Sequence, residues 1–210
     1  MCIRDSPLID LIKKLPLKKD SRTILNLRPD QNIILLMPAS RPQELRYILP
    51  TFMKAAKKLQ QKYPSLVVYI PSCRIAFDEI FKKALRKYQV KGFVISQKDC
   101  AKLKPYIYSL TKIAFCKSGT VNMELALYGI PQIVGYRVSR VTAFIAKKIL
   151  NFKVRFISPV NLLVNKLIIP EFVQREFDEK KIFYKSCRIL EGKSEKIKIK
   201  KGYAFLKKEL

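Results

Sequence analysis

The part of the sequence best suited to chemistry is a turn of small residues, Ser118-Gly119-Thr120, followed by Glu124. An apolar run at residues 113–115 precedes it and an amphipathic stretch follows. This pattern predicts a strand that leads into the first turn of a helix, where unpaired backbone N–H groups and the helix dipole favour phosphate. Glu124 could accept hydrogen bonds from sugar hydroxyls, which suits a nucleotide-sugar better than a bare anion. The plainer interpretation is an N-capped helix with an acidic first turn.

A second polar turn, residues 38–44, separates an apolar run from another amphipathic stretch. Ser40 and Gln43 fit a capping box and Pro42 suits a first helical turn, which is the plain interpretation. It does not explain Arg41, a long cation at the strand exit that could pair with a diphosphate in bidentate fashion. For this turn taken alone, both interpretations stay open.

Further polar residues follow later in the chain: Tyr136 and Arg137 after Gly135, then Asn161 and Gln174. Asn and Gln are often ordinary caps or surface residues, and spacing alone favours that interpretation. The sequence has neither a full dinucleotide fingerprint nor a G-x-x-x-x-G-K-[ST] phosphate loop, so an ATPase has no support.

The composition narrows the chemistry further. With 43 basic and 16 acidic residues, the formal net charge of +27 favours polyanionic partners such as nucleic acid, anionic lipid headgroups or phosphorylated substrates. Histidine is absent, which excludes Ser-His and Cys-His nucleophiles and the commonest zinc sites. The five cysteines form no C-x-x-C pair and indicate free thiols in a reducing compartment rather than a metal site. No apolar run approaches the ~18 residues that a membrane-spanning helix needs.

Short apolar runs alternate with amphipathic segments along the first two thirds of the chain. The runs predict strands at residues 33–37, 66–70, 93–95, 112–115 and 132–134, and the segments predict helices at 42–62, 74–88, 99–110 and 119–128. This alternation predicts an α/β fold, a Rossmann-like parallel sheet with helices on both faces. Ligands of such sheets bind beyond the carboxyl ends of the strands, so the three polar turns are expected to share one crevice.

After Arg137 the pattern changes. Residues 139–150 predict a basic amphipathic helix, and residues 160–176 predict two short helices broken at Pro170. From residue 178 the sequence is strongly charged and predicts a helical tail.

Together the polar segments resemble the C-terminal half of lipid-A-disaccharide synthase. The motifs that carry the resemblance are Pro38-Ala39-Ser40-Arg41-x-x-Glu44, Ser118-Gly119-Thr120-x-x-x-Glu124, Val134-Gly135-Tyr136-Arg137, Asn161-Leu162-Leu163 and Pro170-Glu171-x-x-Gln174. Any one motif is weak, whereas five in this order are specific. The similarity runs from residues 7–10 to the tail.

The resemblance implies the UDP-sugar-binding domain of an inverting GT-B glycosyltransferase. The parent enzyme would move diacylglucosamine from UDP-2,3-diacylglucosamine to 2,3-diacylglucosamine 1-phosphate, with no cofactor or metal, peripherally on the cytoplasmic inner face of an anionic membrane (organellar in a eukaryote). By resemblance, Arg41 and the Ser118–Thr120 turn would hold the diphosphate, Glu124 the ribose, and Asn161 and Gln174 the uridine and sugar. Further substrate-binding candidates from the same motifs are Ser40, Glu44, Tyr136 and Arg137.

The residues and the resemblance together predict a division of the chain. Residues 1–6 are expected to be non-native, 7–30 a linker from a missing N-terminal domain, 31–177 the UDP-sugar-binding domain and 178–210 a truncated helical tail. The catalytic base is expected in the missing half, so this chain should bind donor weakly and turn nothing over.

Three alternatives remain open. One is another UDP-hexosamine transferase, or an epimerase, of the same fold. A second is a polyanion- or nucleic-acid-binding basic domain, although the aromatic residues fall at core positions of the predicted helices and no nucleic acid partner is expected. The third is a membrane-surface scaffold without catalysis. In the glycosyltransferase itself, the basic helix predicted at residues 139–150 would form part of the surface that holds the enzyme to the membrane.

Overall fold

The computed structural model describes residues 15–72, 74–139 and 155–210. Six strands lie within these ranges: β1 (Asn32–Met37), β2 (Leu66–Pro71), β3 (Gly92–Ile95), β4 (Thr111–Lys117), β5 (Gln132–Tyr136) and β6 (Glu171–Val173). The α-helices of the same ranges are α1 (Lys18–Ile24), α2 (Pro42–Lys62), α3 (Ile75–Lys87), α4 (Gln97–Leu110), α5 (Val121–Leu127), α6 (Pro159–Val164), α7 (Glu179–Glu191) and α8 (Lys193–Glu209). A 3₁₀ turn, Gln174–Glu176, follows β6.

The strands pair in parallel in the order β3-β2-β1-β4-β5-β6, which confirms the predicted fold class and the five predicted strands. Strand β6 was not predicted. Residues after Pro170 were expected to form a second short helix, and that prediction is wrong. The N–H of Val134 donates to the carbonyl of Pro170 at 2.9 Å. Pairing with the edge of β5 therefore decides the conformation of a segment that is too short to show a periodicity.

The centre of the sheet is buried on both faces. Residues 33–36 of β1 have no exposed surface, as expected for a central parallel strand covered by helices. On one face Phe52 of α2 stacks on Phe115 of β4, with ring centroids 5.4 Å apart, and meets the edge of Phe177 at 5.0 Å. This packing fixes α2 across the sheet, with its first turn at the carboxyl end of β1.

Both terminal segments of the described chain pack against the helices that cover the sheet. Helix α1 forms inside the segment predicted as a linker, and Ser109 Oγ of α4 donates to the buried Ser21 Oγ at 2.6 Å. The tail forms α7, which packs along α2, and α8, which packs against α6. Its predicted helical character is confirmed. The basic helix predicted at residues 139–150 lies, from residue 140 onward, outside the described residues.

Candidate functional site

The polar turns leave the sheet at the carboxyl ends of neighbouring strands, which together form one edge of the sheet. Met37 of β1 pairs with Cys116 of β4, Lys117 pairs with Gly135 of β5, and Tyr136 pairs with Val173 of β6. Because these strands are adjacent and parallel, the segments that follow them emerge side by side. The predicted shared edge is therefore present, and β6 adds the Gln174 turn to it.

The β1 turn is fixed to the end of β4 by an ion pair. Arg41 is the N-cap of α2, is exposed, and makes no side-chain cap; the predicted capping box of Ser40 and Gln43 does not form. Instead the Ser40 N–H donates to Glu44 Oε2 at 3.4 Å. Both Glu44 oxygens accept from Lys117 Nζ, at 2.7 and 2.8 Å. Glu44 is thus bound to Lys117 rather than open to a ligand.

Lys117 is a functional candidate that the motif analysis missed. Its side chain is 19% exposed and that of Glu44 is 14% exposed, so the pair is largely shielded from water. A cation directly at a strand exit was the signal that singled out Arg41, and the same signal was present at residue 117. Within the described residues, this edge carries the exposed guanidinium of Arg41 and the paired ammonium of Lys117 next to the Ser118 turn.

Hydrogen bonds to two different segments hold the Ser118 turn in place. The Ser118 hydroxyl donates to the carbonyl of Ile157, and the Gly119 N–H donates to Asn122 Oδ1 at 2.9 Å. The sequence interpretation treated the amides of this turn as unpaired; for Gly119 that is wrong. Asn122 has no exposed surface, and its Nδ2 also donates to the Lys117 carbonyl at 3.2 Å.

A buried polar network continues from Asn122 to the C-terminal helix. Its Nδ2 donates to Gln132 Oε1 at 3.1 Å, and Gln132 Nε2 donates to the Tyr203 hydroxyl at 3.2 Å. Tyr203 in turn donates to the carbonyl of Ile130 at 2.9 Å. Burial raises the pKa of Cys116, which lies in the same network, to about 12, and burial also raises the pKa of Tyr203. The network connects the turn to α8 and stays uncharged at neutral pH.

Glu124 faces α4 across a partly exposed contact. Its Oε1 accepts from Lys104 Nζ at 2.6 Å, with the two side chains 31% and 46% exposed. Burial, with a smaller effect of Glu124, raises the pKa of Tyr108 on the same helix. Exposed pairs of this kind contribute little to stability, so a ligand hydroxyl could compete for the carboxylate.

Arg137 connects the ends of β5 and β6. Its guanidinium donates to the carbonyl of Gln174 at 3.1 Å and to the carbonyl of Phe177, and it lies 5.3 Å from the Phe177 ring centroid. A contact with Thr51 Oγ1 is longer, at 3.5 Å. Because Nε and Nη2 face main-chain carbonyls, Arg137 positions the chain after β6, and its predicted ligand contact stays a prediction. Tyr136, half-buried, ends β5 beside them.

Gln174 begins the segment that Arg137 holds. It adopts a left-handed conformation with φ of 51°, directly after β6. This backbone geometry, stabilised by the Arg137 contacts, turns the chain away from the sheet edge at a residue whose side chain was predicted to meet the ligand.

Asn161 has a structural role in place of the predicted ligand contact. It is fully buried, and its Nδ2 donates to the carbonyl of Ile169 at 2.8 Å and to Glu171 Oε1 at 2.7 Å. Its Oδ1 accepts from the N–H groups of Ile168 and Ile169, at 2.8 and 3.0 Å. Every polar atom of the amide is used, so no group remains for a nucleotide. Glu171 accepts from the N–H of Ile157 at 2.7 Å and so ties this segment to the Ser118 turn.

No group of three or more metal-ligating side chains occurs in residues 15–72, 74–139 and 155–210. Within the same ranges no helix has both the length and the apolar character required to cross a bilayer.

A parallel α/β sheet of this order, with polar turns at the carboxyl ends of adjacent strands, is the Rossmann-like architecture of GT-B glycosyltransferases. A solved structure of WaaG, a glycosyltransferase involved in lipopolysaccharide biosynthesis, aligns with a TM-score of 0.60 at 11% identity, over 92% of this chain and 48% of that one. The C-terminal CMP-Kdo binding domain of WaaA from Acinetobacter baumannii aligns with a TM-score of 0.57 at 10% identity, over 95% and 97% of the two chains. These likenesses establish the fold.

Sequence similarity establishes the family. The model of the lipid-A-disaccharide synthetase family matches residues 6–209. A lipid-A-disaccharide synthase from Prochlorococcus marinus (strain MIT 9313) is 43% identical over 204 residues, which cover 97% of this chain and 52% of that protein. The chain belongs to the lipid-A-disaccharide synthetase family, and it spans about half the length of the curated relatives that it matches.

Proposed function

We propose that this chain supplies the UDP-sugar site of a lipid-A-disaccharide synthase. The whole enzyme would transfer diacylglucosamine from UDP-2,3-diacylglucosamine to 2,3-diacylglucosamine 1-phosphate, releasing UDP and the lipid A disaccharide 1-phosphate. One observation carries the proposal: four of the five motifs that resemble this family lie at the carboxyl ends of four adjacent parallel strands, in a chain that belongs to the family along nearly its full length.

The residues divide into ligand contacts and supports. Arg41 and the Ser118–Thr120 turn would bind the diphosphate, and the Lys117–Glu44 ion pair would hold the two turns together beside them. Glu124 would exchange its contact with Lys104 for ribose hydroxyls. Supports hold these groups in place, and they include Glu44, Asn122, Arg137 and Asn161.

The charge of the chain fits both substrates. Donor and acceptor are anionic, and departing UDP needs positive charge, which this edge provides through the exposed guanidinium of Arg41. We place the carboxylate that takes the proton from the acceptor hydroxyl in the part of the enzyme that this chain does not span. The enzyme would act peripherally on the inner face of an anionic membrane, where its acylated substrates reside.

Calorimetric titration with UDP tests the site directly. Arg41→Ala should weaken UDP binding at least about tenfold, because it removes a bidentate charge-assisted contact. The matched control is Arg86→Ala. Arg86 is exposed in the last turn of α3, and therefore lies near the amino ends of the strands, away from the site. Uridine alone should bind both variants and the parent chain equally.

Glu124→Ala has its own matched control. Glu79 pairs with Lys82 at 2.9 Å on the surface of α3, so Glu79→Ala removes a similar ion pair away from the site. In the full-length parent enzyme, Arg41→Ala and Glu124→Ala should each lower turnover at least about tenfold while the fold stays intact. Normal turnover by both variants would refute the site assignment.

A further inference from the structure

Four large apolar side chains are exposed on α6, its exit and α8. Leu162, Leu163, Leu167 and Phe205 are 50%, 53%, 55% and 40% exposed, and we name this surface the α6–α8 patch. Only eleven large hydrophobic side chains are this exposed in the described part of the chain, and four of them are here. Scattered exposed apolar residues need no explanation, whereas a cluster indicates a contact surface.

Close packing brings the exit of α6 and helix α8 together. A Cβ on Gly202 of α8 would lie 2.9 Å from Ile168 Cγ1, so the helix approaches the α6 exit as closely as a glycine allows. Leu167 directly precedes Ile168 in the chain, so it lies beside this contact. Lys166 Nζ lies 5.1 Å from the ring centroid of Phe205. The two halves of the patch are therefore held against each other.

Lysines surround the apolar surface. Lys198, Lys201 and Lys208 are exposed and share a helix face with Phe205, since they lie seven, four and three residues from it. Lys166 adds a fourth cation within the patch, and Glu209 is the acidic residue on the same face. An apolar centre with a basic rim matches a bilayer of anionic lipids, where apolar side chains enter the interface and lysines meet the headgroups.

We propose that the α6–α8 patch docks on the surface of an anionic lipid bilayer. A second copy of this chain fits the patch less well, because it would bring the same lysines and shares the net charge of +27. The proposal rests on the proposed function in one respect, since acylated substrates reach the site from a bilayer. The patch also adjoins that site: the Ser118 hydroxyl donates to the carbonyl of Ile157, two residues before α6 begins.

Vesicle sedimentation of the 210-residue chain tests the proposal. Vesicles of phosphatidylcholine with phosphatidylglycerol should bind the chain, and vesicles of phosphatidylcholine alone should bind it at least about tenfold less. The double variant Leu163→Ser with Leu167→Ser should lose at least about tenfold in partitioning, because exposed leucines would no longer enter the interface. A second variant, Lys198→Gln with Lys201→Gln and Lys208→Gln, should show a similar loss that added salt reproduces in the parent chain.

Helix α3 provides matched controls, since it too exposes two aliphatic residues and several lysines. Ile75→Ser with Ile80→Ser, and Lys82→Gln with Lys83→Gln and Lys87→Gln, should leave partitioning unchanged. Circular dichroism and UDP titration on every variant should match the parent chain, which separates loss of docking from loss of the donor site.

Several outcomes would overturn the proposal. One is equal partitioning of the patch variants and the parent chain, and another is an equal loss in the α3 controls. A third is a dimer of the parent chain in sedimentation velocity that Leu163→Ser with Leu167→Ser dissociates, since the occupant would then be a second copy. A fourth is failure to bind anionic vesicles together with lysine-dependent binding of DNA.

Discussion

Replacing Asn122 with alanine tests whether the buried amide beneath the Ser118 turn holds that turn in place. The change removes the acceptor of the Gly119 N–H, at 2.9 Å, and the donor to Gln132 Oε1, at 3.1 Å. It also removes the donor to the Lys117 carbonyl, at 3.2 Å. Among the contacts of the described residues, neither the Gly119 N–H nor Gln132 Oε1 has an alternative partner as good.

The expected loss of stability follows from these lost hydrogen bonds. A buried polar group that loses its hydrogen bond costs about 1–3 kcal/mol, and the Lys117 carbonyl, being partly buried, costs less because water can reach it. Since Gln132 Oε1 keeps a weak contact from the Cys116 thiol at 3.4 Å, the expected loss is about 2–4 kcal/mol in the free energy of unfolding. The turn would then sample other conformations, and UDP should bind about tenfold more weakly.

Urea denaturation measures the first effect and UDP calorimetry the second. Asn32→Ala is the matched control, because Asn32 makes one exposed side-chain hydrogen bond, to the carbonyl of Asp30 at 3.0 Å. It should lose less than about 1 kcal/mol and bind UDP as the parent chain does. If Asn122→Ala lowers the free energy of unfolding no more than this control does, the reasoning about the buried amide is refuted. A large loss of stability with unchanged UDP affinity at low denaturant would keep the network but separate it from the donor site.

Three further predictions concern packing, ionisation and the second buried amide. Gly135→Ala should destabilise the chain by about 1–3 kcal/mol in urea denaturation, because the added Cβ would lie 2.8 Å from the ring of Phe52 and nearer still to Phe177. Cys116 has a pKa of about 12 when folded against an ordinary 9.0, so the unfolded chain loses this proton first. This residue alone should lower the free energy of unfolding by about 1.4 kcal/mol per pH unit between about pH 9 and 12, in addition to the fall caused by buried tyrosines such as Tyr203. Cys116 should also resist alkylation by iodoacetamide at pH 8 until the chain unfolds, as peptide mass spectrometry would report. Asn161→Ala should cost about 2–5 kcal/mol in urea denaturation, since it leaves several buried groups unpaired.

Each of these predictions has a contrary result. Unchanged stability of Gly135→Ala would mean that Phe177 does not pack against β5. Alkylation of native Cys116 at the rate of an exposed thiol, or stability that does not change above pH 9, would contradict its burial. A stable Asn161→Ala chain with weakened uridine binding would restore the ligand role that its buried contacts argue against.

Local patterns in the sequence were sufficient for the sheet and most helices. Runs such as residues 33–36 are apolar throughout because central parallel strands are buried on both faces, so their composition identifies them without tertiary information. The position of the polar turns at strand exits followed from the same alternation, and a shared edge followed from parallel pairing.

Which side chains pair with one another within the site could be seen only in the folded chain. Glu44 and Lys117 are 73 positions apart, and Arg137 reaches the carbonyl of Gln174 37 positions later, so no local spacing reveals either contact. Strand β6 formed for the same reason, because the free edge of β5 supplies hydrogen bonds that its own three residues cannot predict.

What the sequence by itself determined was the alternation of elements, the basic charge and the motif order, since periodicity and composition act along the chain. What only the tertiary structure decided was which polar groups remain open to a ligand. Asn161 and Gly119 are occupied and Arg41 is exposed, because burial and hydrogen-bond pairing depend on segments that meet only after the sheet has assembled.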